Sequence, residues 1–91
     1  MYCNEVKIIN AIGLHARPAA EFSKKANEFS AAITVIKLDD EQKKGNAKSV
    51  INVMAMGLEQ GMMIQLCGEG EDEIAAVETL IALVQSGFGE V

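Results

Sequence analysis

YCNEVKIINAIGLHARPAAEFSKKANEF, residues 2–29, changes its hydrophobic period once, and the architecture can be read outward from that change. From Tyr2 to Ile9 the apolar Val6 and Ile8 alternate with Glu5 and Lys7, the period of a strand with one covered face. The tetrapeptide NAIG then breaks it. From Ala16 to Phe29 the apolar residues Ala19, Phe22, Ala26 and Phe29 recur at helical spacing, and Glu21, Lys24, Lys25 and Glu28 occupy the opposite side. Pro18 is compatible with a helix here, because the N–H that proline lacks has no intrahelical partner in the first turn.

Downstream, AAITVIKL (31–38) is rich in β-branched residues and reads as a second strand. The polar turn DDEQKKGN (39–46) follows, with a short third strand ending near Ala47, which makes a hairpin. A short helix is expected from Ser49 to Met56, with Ser49 as its N-cap, Val50, Val53 and Met54 on its buried side and Gly57 as its stop. GMMIQLCG (61–68) places Met62, Ile64 and Leu66 on one face of a fourth strand. In the last helix Ile74, Val77, Ile81 and Val84 follow helical spacing, acidic residues occupy the first turn, and Gly87 ends it. The expectation is an α+β chain with one four-stranded, mainly antiparallel sheet, helices on one face and solvent on the other.

A length of 91 residues suits one domain near the lower limit for a core without disulfides or a metal. Residues are 49% hydrophobic but only 4% aromatic, so that core must be aliphatic, with Phe22, Phe29 and Phe88 as its large rings. No apolar run approaches the roughly 18 residues of a membrane span, and no secretory pattern opens the chain, so a soluble cytoplasmic protein without membrane insertion is expected. Cys3 and Cys67 lack CxxC spacing and read as free thiols in such a compartment. A net charge of −5 argues against a nucleic-acid partner, so any anion site has to be local.

The break between the first strand and the first helix holds the only histidine and the only proline, His15 and Pro18, with Arg17 between them. At a helix N-terminus, unpaired N–H groups and the positive end of the macrodipole favour an anion. Arg17 adds a planar cation able to hold two phosphate oxygens, and Gly13 lets the chain turn tightly just upstream. Near neutral pH an imidazole has a substantial neutral fraction and can act as a nucleophile. Its N–P adduct would be labile and fit for onward transfer, whereas a serine phosphate would be too stable. The plain structural alternative makes His15 a polar helix-start residue, Arg17 a solvated charge and Pro18 a helix initiator. With a single histidine and two distant cysteines, neither a metal site nor a cofactor is expected. No nucleophile elbow is present to suggest a hydrolase triad.

GLHARPAA (13–20) resembles the active-site segment of the HPr family, histidine-containing phosphocarriers of the bacterial phosphoenolpyruvate-dependent phosphotransferase system (PTS). AKSVINVMAMGLEQG (47–61) is similar to the family's second signature. The resemblance implies a single HPr-like open-faced β-sandwich over residues 1–91, of order βαββαβα with three helices on one face. It implies that His15 accepts a phosphoryl group on Nδ1 from phospho-enzyme I and passes it to EIIA proteins for sugar uptake, with Arg17 binding the phosphate. Such a protein is a carrier rather than an enzyme, and nothing in the sequence demands more than a monomer.

By the same resemblance, Ser49 matches a regulatory serine modified by HPr kinase/phosphorylase, although it is equally suited to a plain N-cap. The docking face implied around His15 and the second helix comprises Ala16, Ala20, Lys24, Lys48, Val50, Ile51 and Met54, with Lys25 as a further steering charge. Ile51 departs from the Met that many Gram-positive members carry at that position. The long 39–46 turn and LIALVQSGFGE (80–90) are similar to the nitrogen-related branch, so a regulatory carrier of a nitrogen-type PTS is the alternative. A third reading is an interaction module switched at Ser49, with His15 idle.

Overall fold

The computed structural model describes residues 1–39 and 43–90. Strand β1 (Tyr2–Lys7) is followed by α1 (Ala16–Ala26), β2 (Ala32–Lys37), β3 (Lys44–Asn46), α2 (Val50–Ala55), β4 (Met63–Glu69) and α3 (Glu73–Gln85), and the chain closes in a 3₁₀ turn, Gly87–Gly89. The four strands form one sheet in the order β1-β4-β2-β3 with every pairing antiparallel. The expected α+β open-faced sandwich is therefore observed. Residues 40–42 of the anticipated polar turn lie outside the described residues; Lys44–Asn46, assigned to the same stretch, is β3 itself.

Alternation decides which face is covered. Val6 and Ile8 at and just beyond the end of β1, Ile33 and Val35 of β2, and Ile64 and Leu66 of β4 are buried beneath the helices. Phe22, Ala19 and Ala26 of α1 and Val77, Leu80 and Val84 of α3 are completely buried and close the core from the other side. Gly68 allows α3 to approach β4 closely: a Cβ there would lie 3.0 Å from Val77 Cγ2 and 3.2 Å from the Glu73 carbonyl oxygen. Burying a ring such as Phe22 contributes about 2–3 kcal/mol from apolar area.

Several local expectations are corrected. Helix α1 stops at Ala26 rather than Phe29, because the Asn27 side chain donates to the Ser23 carbonyl (2.8 Å) and to the Lys48 carbonyl (3.0 Å), tying the helix end to the loop before α2. Ile74 is 60% exposed, since the buried stripe of α3 runs through Ala76, Val77, Leu80, Ile81 and Val84. In α2, Val53 is the fully buried residue, Val50 is half-buried and Met54 is exposed. Met62 precedes β4 and is half-buried.

Cys3 and Cys67 are not free thiols. They stand directly opposite each other in the β1–β4 ladder, with Cα atoms 4.1 Å apart, and form a disulfide. Their separation of 64 residues is cancelled by strand register, which spacing rules do not encode.

Candidate phosphorylation site

The loop between β1 and α1 is built around Gly13. Its backbone lies in the left-handed region (φ +74°), and a Cβ at this position would collide with the Leu58 carbonyl oxygen. Leu14 N–H donates to that same carbonyl at 2.9 Å, docking the loop against the segment that follows α2. Asn10, completely buried, tightens the turn from its other side: its Nδ2 donates to the Gly13 carbonyl at 2.7 Å, and its own carbonyl accepts the Gly13 N–H at 3.1 Å.

This turn delivers His15 to the N-cap of α1 in an extended conformation (φ −80°, ψ −167°). The His15 carbonyl accepts the first intrahelical bond, from Ala19 N–H at 2.8 Å, but the imidazole does not cap its own helix. The N–H groups of Ala16 and Arg17 precede any acceptor one turn back, so the positive helix end lies open beside the ring. The imidazole meets Glu90 instead, with Nε2 3.2 Å from Oε2. A carboxylate accepts only, so the matching tautomer carries its proton on Nε2 and its lone pair on Nδ1.

Glu90 also gathers the rest of the site. Oε2 accepts from Arg17 Nη2 at 2.6 Å, and Oε1 accepts from Asn10 Nδ2 at 3.0 Å. Arg17 further donates through Nη1 to Glu21, one turn along α1, and through Nη2 to the Phe88 carbonyl at 3.2 Å. The amide of Asn10, followed by the guanidinium of Arg17, holds the Glu90 carboxyl below the usual carboxylate range. The hydrogen bond to Glu90 in turn raises Arg17 above its ordinary value.

The tail reaches the site because α3 ends at Gln85 with Ser86 as its C-cap, and the chain reverses through Gly87–Gly89, where buried Phe88 adopts a left-handed conformation (φ 57°) and Ser86 Oγ accepts its N–H at 3.3 Å. Glu90, Asn10 and the Phe88 carbonyl were not anticipated as parts of the site from the sequence. The pattern Gly-Phe-Gly after a helix end was the available sign of a chain reversal. Nothing local in sequence announced its target, 75 residues from His15.

Of the residues expected at a docking face, Ala16, Ala20 and Lys24 are exposed at i, i+4 and i+8 along α1, one stripe beginning beside His15. Helix α2 packs against α1 and presents Ile51, 78% exposed, and Met54. Lys48 is half-buried, its Nζ donating to the Phe29 carbonyl at 2.7 Å. Lys25 pairs with Glu28 at 3.4 Å. Ser49 is the N-cap of α2, its Oγ accepting from Asn52 N–H at 3.2 Å. An exposed apolar residue missed earlier, Ile12 (67% exposed), lies in the His15 loop.

A histidine at an open helix end, with Nε2 against a carboxylate that an arginine shares and Nδ1 left free of it, is a geometry suited to an anion. The sequence model described as "PTS HPr component phosphorylation site" matches residues 2–86. The chain belongs to the HPr family of the PTS. Among relatives, the phosphocarrier protein HPr of Haemophilus influenzae is 44% identical over 84 residues, covering 92% of this chain and 95% of the relative. The phosphocarrier protein NPr of Shewanella violacea is 38% identical over 86 residues, covering 94% and 91%. The crystal structure of HPr-C-His from Thermoanaerobacter tengcongensis superposes with a TM-score of 0.92 at 43% identity, covering 100% of this chain and 99% of that one. Membership of the HPr family makes the protein a phosphocarrier of the PTS. No described helix is long and apolar enough to cross a membrane.

Proposed function

We propose that His15 carries the phosphoryl group, on Nδ1, and that Arg17 binds it. The observation that carries this reading is the double role of the Glu90 carboxylate, which engages Nε2 and Arg17 together. In the reaction the Nδ1 lone pair attacks the phosphorus of phosphohistidine on enzyme I, and an N–P bond forms as the donor's N–P bond breaks. The proton stays on Nε2, where Glu90 offsets the charge that develops on the ring. The phosphoryl oxygens then replace the carboxylate on Arg17 and meet the open N–H groups of the first turn. Transfer to a histidine of an EIIA protein reverses these steps, so the protein is a carrier consumed and regenerated rather than an enzyme.

Residues 1–91 form one phosphocarrier domain in this reading, acting as a cytoplasmic monomer with neither cofactor nor nucleic-acid partner. Ala16, Ala20, Lys24, Lys48, Val50, Ile51 and Met54 form the docking face, which enzyme I and EIIA occupy in turn. A stable ternary complex would contradict that order. Ser49, at a half-buried cap beside this face, is the site at which HPr kinase/phosphorylase would add charge and weaken docking.

Incubation with enzyme I and phosphoenolpyruvate tests the chemistry. One acid-labile phosphate on wild type and none on His15→Ala is expected; an acid-stable phosphate, or labelling of the variant, refutes the assignment. A second reading, a nitrogen-type carrier, is favoured by the NPr relative. Exchange with a sugar-specific EIIA but not with a nitrogen-type one would exclude it.

A further inference from the structure

The only two cysteines of the chain, 64 residues apart, face each other across one rung of the sheet, with Cα atoms 4.1 Å apart. Two independently placed structural thiols would rarely meet in register, so the pair is read as a unit. It sits on the face that no described helix covers: along β4 the alternating Ile64, Leu66 and Gly68 are buried, while half-buried Cys67 points the other way and its partner Cys3 is exposed. A small thiol or disulfide can therefore reach it without unfolding the chain.

Its position in the sheet gives it something to control. Among the described residues strand β1 is an edge strand, paired only with β4. At its far end, next to the His15 loop, it is held by Ile8 N–H to the Met62 carbonyl (2.9 Å) and Gly61 N–H to the Ile8 carbonyl (2.7 Å). At its near end, the covered side is tied to α3 through Glu78, which accepts from Tyr2 Oη (2.5 Å) and Asn4 Nδ2 (2.8 Å). On the open side the disulfide is the covalent tie.

We propose that Cys3–Cys67 is a reversible redox site whose substrate is a low-molecular-weight disulfide and whose state sets how firmly the near end of β1 is held. One cysteine thiolate attacks the small disulfide, forming a mixed disulfide and releasing one thiol. The second cysteine, on loss of its proton, attacks the protein sulfur of that bond and expels the other thiol. Two protein thiols are oxidised and one small disulfide is reduced to two thiols; a reducing dithiol runs the exchange backwards. Exposed disulfides are the labile, regulatory kind, and this one lies on the opposite face of the sheet from α1 and His15.

The test equilibrates the full-length protein in glutathione buffers of graded oxidised-to-reduced ratio, counts free thiols by alkylation and intact mass, and follows amide exchange along β1. One transition from two thiols to none, without dimer, is expected, with β1 amides exchanging about tenfold faster after reduction. The Cys3→Ser/Cys67→Ser variant should exchange like the reduced protein, its helical circular dichroism reporting that it has folded. Two alkylatable thiols in every buffer, or a bond that forms without slowing β1 exchange relative to the double variant, would overturn the proposal.

Discussion

Glu90 is the residue that joins His15, Arg17 and Asn10. Its carboxyl titrates below the usual range because Asn10 and Arg17 bond its charged form, so its contribution to stability is present above the unfolded value of about 4.3 and is lost as pH falls through the folded one. Wild type should therefore lose thermal stability on acidification in a way that Glu90→Gln does not, and the difference between their melting temperatures should shrink below about pH 4. Equal differences at pH 7 and pH 3 would refute this. Arg17→Lys provides a complementary test. A single ammonium cannot hold Glu21, Glu90 and the Phe88 carbonyl as a planar fork does. With Arg17 binding the phosphate as proposed, loss of one charge-assisted bond should slow phosphoryl acceptance roughly ten- to hundredfold. Stopped-flow transfer from phospho-enzyme I measures it, and an unchanged rate would remove Arg17 from the site.

Helix α2 has only six residues and depends on its cap. Ser49→Ala removes the acceptor for Asn52 N–H and should cost about 1 kcal/mol, lowering the melting temperature by roughly 4–8 °C. Ser49→Asp keeps an acceptor and a favourable charge, so it should restore that stability while weakening binding to enzyme I, separating capping from docking in one pair of variants. The same logic applies where α1 leads into β2. Asp72 accepts from Ser30 N–H and Ala31 N–H, both at 2.8 Å, and those backbone bonds, Ser30's first, lower its pKa. Asp72→Asn should destabilise at neutral pH and lose most of that effect in acid, where the wild-type carboxylate is protonated as well; melting curves at the two pH values decide it.

Across the whole molecule, the disulfide closes a loop of some 64 residues. By the chain-entropy estimate such a cross-link stabilises by about 4 kcal/mol, so reduction should shift the urea midpoint strongly downward with His15 chemistry intact. Phe22→Ala, at the centre of the core beneath α1, should cost about 3–5 kcal/mol, a large share of the stability of a chain this short. Either measurement returning under 1 kcal/mol would mean that the core or the clasp is looser than the packing implies.

Element order, the covered face of the sheet and the placing of His15 and Arg17 at the start of α1 were legible because they rest on local chemistry. Period 2 against period 3.6, a proline tolerated only in a first turn and a serine cap each act within a few residues. The C-terminal end of α1 and the face of Ile74 were misread because the Asn27 side chain and the packing of α3 against the sheet outweighed local periodicity. The Cys3–Cys67 bond and the carboxylate on His15 were invisible in sequence. Strand register and the chain reversal at Phe88 bring together groups 64 and 75 residues apart, and only the folded sheet and the docked tail determine that they meet.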